Sequence, residues 1–153
     1  FLSDAFYAAG PLVKSPVELV AGTLRLCGLP ATRDAAWWAT RMGQTLFDPP
    51  TVAGWSGGTA WLGATSLLAR WNLGEGVKVL LGQKPRSAWM EAGSPAELVD
   101  RWLAHFGITA GVQTRQALLG LVGPALPADE KKRWELVRNL IRTVIAAPEY
   151  QVS

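Results

Sequence analysis

The sequence has one cysteine, Cys27, and one histidine, His105, and this scarcity excludes several kinds of chemistry. A disulfide within the chain needs a second cysteine, and a zinc site needs several ligands from Cys, His or carboxylate side chains. No HExxH pattern, second histidine or acidic cluster supplies such a set. We therefore expect no metal and no cofactor. We also expect Cys27 to behave as a small, buried hydrophobic residue at the apolar end of a helix.

Long apolar runs and dense charge are also lacking. No run approaches the roughly 20 apolar residues of a membrane span. Lys and Arg exceed Asp and Glu by only 15 to 12, so the net charge is +3. The densest basic stretch, residues 131–133 with Arg138 and Arg142, is interrupted by acidic residues and indicates a solvated helix face rather than a nucleic-acid site. The chain begins without methionine, so we expect it to be part of a longer protein.

Two similar helix starts stand out among the features that are present. Ser15-Pro16-Val17-Glu18 has a serine cap, a proline at the first helical position and a glutamate three residues after the serine, which is a capping box. Ser94-Pro95-Ala96-Glu97 repeats the pattern. An internal repeat is one interpretation. The favoured interpretation is that two unrelated helices use the same capping pattern, because the segments that follow do not match.

Hydrophobic periodicity predicts an all-α fold: a single compact domain, residues 1–153, of about six helices around one core. One long, ordered Gly/Pro/Trp-rich loop, residues 47–60, interrupts it. Residues 73–93 have no readable pattern. The predicted helical segments are 3–9, the stretch from the Ser15 cap to Gly28, 32–46, 61–72, the stretch from the Ser94 cap to Gly107, 113–122 and 128–146.

Eight tryptophans are present, which is a high count for 153 residues. Helical spacing predicts that Trp38, Trp61, Trp71, Trp102 and Trp134 are core residues. In particular, Trp61, Ala64, Leu68 and Trp71 form the predicted core stripe of one helix. Trp37, Trp55 and Trp89 fit no stripe. An exposed indole can serve as a platform for a sugar or a peptide, but the favoured interpretation of Trp55 is that it packs its own loop onto the core.

The segment Gly54-Trp55-Ser56-Gly57-Gly58 matches the G-x-S-x-G nucleophile elbow, with Asp100 and His105 following in triad order. The context does not fit, because no buried strand precedes Ser56 and no helix follows it directly. Asp100 and His105 also lie five residues apart on one predicted helix. We therefore predict no catalytic residues here and interpret Glu18 and Glu97 as capping carboxylates.

A family resemblance rests on the loop and its flanks. The pattern runs through Gly43, Gln44, Phe47, Pro49, Pro50, Val52, Gly54, Trp55, Gly57, Gly58 and Trp61. It resembles the hallmark of a bacterial family called domain of unknown function eighteen hundred. Three further stretches agree with the family in the correct order: residues 14–25, residues 67–72 and residues 148–151. The chain departs from the pattern at Ser56, where proline is usual, and at Thr51, where asparagine is usual.

The resemblance implies the C-terminal portion of an exported or envelope-associated bacterial protein, with the missing N-terminal part of the same protein as one partner. From the residues, the leading hypothesis is a non-catalytic helical module that binds a protein or glycan partner. The candidate binding residues are Gln44, Asp48 and Trp55, and the residues expected to shape the loop are Pro49, Pro50, Gly54, Gly57, Gly58 and Trp61. The alternative is part of a hydrolytic enzyme whose catalytic residues lie mainly in the missing N-terminal region.

Overall fold

The structure is a computed structural model that describes residues 10–31 and 33–153. Within these residues the regular structure is helical, with two isolated β-bridges, Val13 to Val152 and Thr51 to Gly54, and no strand. The all-α prediction is therefore confirmed, while the predicted helix 3–9 lies outside the described residues. The α-helices are α1 Pro16–Leu26, α2 Arg33–Arg41, α3 Ala64–Leu81, α4 Ser87–Met90, α5 Pro95–His105, α6 Val112–Val122 and α7 Glu130–Ala146, with 3-10 helices at Gly58–Leu62 and Pro148–Gln151.

The first helix start is the predicted capping box. The backbone N–H of Glu18 donates to Ser15 Oγ at 3.3 Å, and the N–H of Ser15 donates to Glu18 Oε2 at 2.7 Å. The second start differs by one residue. Ser94 Oγ accepts from Glu97 N–H, but the Glu97 carboxylate accepts from Gly93 N–H rather than from Ser94. Both glutamates therefore satisfy orphan backbone donors, as expected of capping residues.

Helix α3 is longer than predicted and buries a different face. It continues through residues 73–81, where no element was assigned, and ends at Gly82, which has a φ of 68°. Leu68 and Trp71, predicted to be core, are 60% and 54% exposed, so that part of the stripe was wrong. The buried face instead consists of Ser66, Ala69, Arg70, Leu73, Gly74, Val77 and Leu81.

Close packing between α3 and α7 explains why this face of α3 is the buried one. A Cβ added at Gly74 would lie 2.8 Å from the backbone oxygen of Arg142, so only glycine lets the two helices approach this closely. Helix α7 places Trp134, Val137, Ile141, Val144 and Ile145 in the core, each at most 1% exposed.

Helix α2 ends at Arg41 instead of near Leu46. Met42 is buried, Gly43 leaves the helical region with a φ of 95°, and Leu46 is 43% exposed. The backbone N–H of Gln44 bonds back to Ala39 O at 3.0 Å, which closes the last turn. The chain therefore leaves the helix earlier than the proline pair alone required.

Two other residue predictions need correction or completion. Arg138, expected on a solvated face, is 4% exposed, donates to Lys78 O and Gln83 Oε1, and pairs with Glu135. Trp89, which fitted no stripe, packs edge-on against Trp102 with ring centroids 5.1 Å apart.

The remaining tryptophans and Cys27 agree with expectation apart from Trp38. Trp61, Trp102 and Trp134 are buried, whereas Trp38 is only half-buried against the core. Cys27 is fully buried, and burial raises the pKa of its thiol to about 12.

Candidate functional site

The loop between α2 and α3 begins at a hydrogen bond to another helix. The backbone N–H of Val17, in the first turn of α1, donates to Gln44 Oε1 at 3.0 Å. The first N–H groups of a helix have no partner within the helix, so this amide oxygen satisfies one of them. Gln44, a candidate binding residue, is thus already engaged in holding the loop base against α1.

The loop ends at Trp61, which is 7% exposed. Its carbonyl oxygen accepts from Ser66 Oγ at 2.7 Å and from Arg70 Nε at 3.2 Å. Arg70 is 2% exposed and also donates from Nη1 to Gln151 Oε1 at 3.0 Å and from Nη2 to Lys14 O at 2.7 Å. Burial of the guanidinium lowers the pKa of Arg70.

Arg70 therefore joins the loop end to the segments before α1 and after α7. Periodicity assigned it no role, because a charged side chain on the buried face of a helix goes against the usual pattern. The one signal for it in the sequence was its place in the stretch 67–72 that resembles the family.

The outer part of the loop exposes apolar side chains, and hydrogen bonds within one turn hold part of its backbone. Phe47 is 97% exposed, with a φ of 63°, and Val52 is fully exposed. The N–H of Gly54 donates to Thr51 O at 2.9 Å, and Thr51 Oγ1 donates to Gly54 O and accepts from Ala53 N–H, all within one turn. We call residues 46–52 the loop tip.

The remaining candidate residues lie near the tip. Asp48 is exposed and Trp55 is half-buried, so the indole neither fills the core nor stands free. Pro49 and Pro50 are exposed. The glycines expected to shape the loop have left-handed φ values: 91° at Gly54, 67° at Gly57 and 55° at Gly58.

The three residues of the rejected catalytic triad, Ser56, Asp100 and His105, have different surroundings. Ser56 is exposed in the loop. Asp100 forms a two-point ion pair with Arg115, at 2.9 Å for each contact, and the hydrogen bond from Arg115 lowers the pKa of the carboxyl. The Nε2 of His105 lies 2.9 Å from Leu26 O. Asp100 and His105 each have a partner that suits a structural role.

An apolar groove lies beside the loop, between α1 and α2. Its cavity is about 400 Å³, within the range of about 300–1,000 Å³ that small-molecule sites occupy. Leu46 of the loop tip lines one side, and Arg25 in the last turn of α1 is the single charged residue among the described residues that line it. The full lining is Val17, Val20, Ala21, Leu24, Arg25, Leu29, Ala31, Ala35, Ala36, Ala39 and Leu46.

A second apolar surface lies on α3. Leu67, Leu68 and Trp71 are 47%, 60% and 54% exposed, at helical spacing. Trp71 also lines a smaller cavity of about 190 Å³ against the start of α6 and the end of α7. Besides the loop tip, the groove and this face of α3 are therefore two apolar surfaces that remain uncovered in the part of the chain that the structure describes.

Neither a metal site nor a membrane span is found in the described ranges. No group of three or more His, Cys, Asp or Glu side chains in residues 10–31 and 33–153 is placed to hold a metal ion. None of the helices described is both long and apolar enough to cross a bilayer.

Comparison with known proteins identifies the family. No curated protein and no solved structure matches the chain significantly. A family model described as "Protein of unknown function (DUF1800)" matches residues 1–152. The match covers the loop, both of its anchors and all seven α-helices described, and so the chain belongs to the DUF1800 family of proteins of unknown function.

Proposed function

We propose that the chain is a non-catalytic helical module of an exported or envelope-associated bacterial protein, and that it binds a protein partner through the loop tip. The observation that carries the proposal is the near-complete exposure of Phe47 and Val52 on a loop anchored at both ends. Large apolar side chains are costly to leave in water, and grouped exposed apolar residues commonly mark interaction sites.

The anchoring supports a binding role over a simple connection. A loop fixed before binding loses less conformational entropy when it meets its partner. Gln44 holds one end to α1, Arg70 holds the other, and the turn at residues 51–54 orders the part between them. Phe47 is the expected anchor, because an aromatic side chain that enters a pocket commonly contributes most of the binding energy.

A protein suits the tip better than a glycan. Sugar recognition needs a flat aromatic face together with hydrogen-bonding groups. The tip instead exposes a phenyl ring, a valine and two prolines, with Asp48 as its one charged residue. Trp55, the nearest tryptophan in the sequence, is half-buried.

Site-specific photo-cross-linking in the bacterium tests the proposal. A benzophenone side chain is placed at position 47 of the full-length protein, and at Val79, which is 75% exposed on α3, as the matched control. We expect a protease-sensitive adduct from position 47 and none from position 79. A cross-link within the same polypeptide, identified by mass spectrometry, would assign the partner to another region of the protein. A protease-resistant adduct, or equal adducts from both positions, would contradict a protein-binding tip.

Affinity measurements then quantify the contact. Burying a Phe side chain contributes about 2 kcal/mol, so Phe47→Ala should weaken binding of the identified partner by about 30-fold. Val79→Ala should bind like the wild type, and both variants should keep the wild-type melting temperature. Wild-type affinity in Phe47→Ala would refute the proposal. Cell fractionation of the full-length protein tests the envelope location separately.

A further inference from the structure

The groove between α1 and α2 has the composition of a site for an aliphatic chain. Five of its lining residues are alanines, and the others apart from Arg25 are Val or Leu. Among the described residues, the lining includes no aromatic side chain and no neutral hydrogen-bonding side chain. Such a surface contributes binding energy through burial of apolar area and gives no means of selecting polar groups along the ligand.

Arg25 adds charge selectivity to this surface. The residue is exposed, and no ion pair or hydrogen bond joins its side chain to another residue in 10–31 or 33–153. A guanidinium presents paired N–H donors that match the two oxygens of a carboxylate. The groove thus combines an apolar channel with one cation, which is the complement of an amphiphile with an anionic head.

The size of the cavity limits the occupant further. An α-helix with its side chains is about 10–12 Å across, so two turns of helix displace more than the groove's roughly 400 Å³. A phospholipid carries two acyl chains and a larger head. A single unbranched chain is the occupant that fits the apolar lining, the volume and the single cation together.

We infer that this groove binds a free long-chain carboxylate, with the aliphatic chain between α1 and α2 and the carboxylate paired to Arg25. Leu46 places the groove next to the loop tip. The inference does not depend on the proposed protein partner, because its ligand and its test are separate.

Titration of the chain with dodecanoate below its micelle concentration, followed by calorimetry, tests the inference. We expect saturable binding of one molecule. Decanoate, two methylene groups shorter, should bind about 15-fold more weakly, because each buried methylene is worth about a factor of four. Dodecyltrimethylammonium, with the same chain and the opposite charge, should bind more weakly than dodecanoate. Absence of saturable binding, or equal affinity for the two head groups, would overturn the inference.

Paired variants locate the site. Ala36→Phe fills the groove from an exposed position on α2, and Ala104→Phe makes the same change at an exposed position on α5. We expect at least a tenfold loss of dodecanoate affinity in the first and no change in the second, with both melting temperatures near wild type. Equal affinity in the two variants would place the chain elsewhere and overturn the site.

A second pair tests the head group. Arg25→Gln should weaken dodecanoate binding about threefold to fivefold, in keeping with an exposed ion pair, and the loss should shrink at high salt. Lys131→Gln, an exposed charge change on α7, should have no effect. Phosphatidylglycerol vesicles form the last arm. Arg25-dependent binding to vesicles without binding of dodecanoate would overturn the assignment to a free carboxylate.

Discussion

Replacing Arg70 by methionine should destabilise the whole domain. Arg70 forms no ion pair in residues 10–31 and 33–153, so the interactions that are lost are its hydrogen bonds. The guanidinium is 2% exposed, and backbone and amide oxygens from three separate segments surround it. Methionine keeps the apolar stem and removes every donor. The variant therefore isolates the hydrogen bonds from the packing.

The expected magnitude follows from which oxygens lose their partners. Trp61 O keeps its bond from Ser66 Oγ, so its loss is partial. Lys14 O and Gln151 Oε1 lose the bonds that Arg70 donates. Each of these part-buried acceptors left unpaired costs about 1–3 kcal/mol, and removal of the desolvated cation offsets part of that cost. We therefore expect a net loss of about 3 kcal/mol in the free energy of unfolding, a large share of the roughly 5–15 kcal/mol typical of a domain.

Urea denaturation followed by circular dichroism measures this loss. With a slope of about 1–3 kcal/mol per molar for small proteins, the midpoint should fall by about 1–3 M. Arg142→Met is the matched control, since the Arg142 and Glu75 side chains are 31% and 44% exposed and such a pair contributes about 1 kcal/mol or less. A loss at Arg70 no larger than that at Arg142 would refute the assignment of Arg70 as the junction of the three segments.

Three further predictions concern packing and the thiol. Gly74→Ala should destabilise by about 2 kcal/mol or more, because its Cβ would overlap the Arg142 backbone, whereas Gly120→Ala, with no atom near its added Cβ, should stabilise by about 0.5–1 kcal/mol. Thermal denaturation gives both signs, and a stable Gly74→Ala would contradict the close approach. Trp71→Gln should change the unfolding free energy by less than about 1 kcal/mol, as befits an exposed side chain; a larger loss in urea would return Trp71 to the core. Cys27 should react with a thiol reagent at pH 8 about a thousandfold more slowly than in the unfolded chain, since a pKa of about 12 instead of 9.0 lowers the thiolate fraction by that factor; fast labelling of the folded protein would show that the thiol is accessible.

Local signals in the sequence predicted most helices correctly. The serine, proline and glutamate around Ser15 are sufficient to start α1, because they satisfy orphan N–H groups with side chains a few residues away. Trp102 and Trp134 were identifiable as core residues because their helices have one apolar face each. Where a helix carries a single stripe, the periodicity determines which side is buried.

Helix α3 shows where that reasoning fails. It carries two apolar faces, one with Leu68 and Trp71 and one with Leu73 and Val77. Within residues 61–72 the first face is the more apolar, since the second includes Ser66 and Arg70 there. The choice is made by Gly74, which allows the backbone of α7 to approach, and this is a property of the pair of helices. The apolar stripe of Ala69, Leu73, Val77 and Leu81 becomes visible in the sequence only when the helix is extended beyond residue 72, where the predicted helix ended.

The sequence likewise predicted one part of the candidate site and missed another. Composition identified the loop, and the family resemblance identified its residues, but neither distinguishes a residue that holds the loop from one that the loop presents. Gln44 was expected to contact a partner, and its amide oxygen accepts from Val17 in α1. Phe47 was quoted only as part of a motif, and it is the most exposed aromatic side chain of the described residues.

The two anchors explain how an apolar loop tip can stay out of the core. A flexible loop with Leu46, Phe47 and Val52 would gain free energy by folding these side chains back onto an apolar surface. The fixed ends and the bonded turn at residues 51–54 restrict that collapse, since large movements would strain the Gln44 bond to α1 or the Arg70 bond to Trp61 O. Loss of the Arg70 bond would leave the buried guanidinium without one of its acceptors. Because Arg70 also donates to Lys14 O and Gln151 Oε1, this loss would destabilise the whole domain. The stability of the helical core thus keeps the tip displayed. Affinity for the proposed partner and global stability should therefore fall together in Arg70 variants, whereas Phe47 variants should lose affinity and keep wild-type stability.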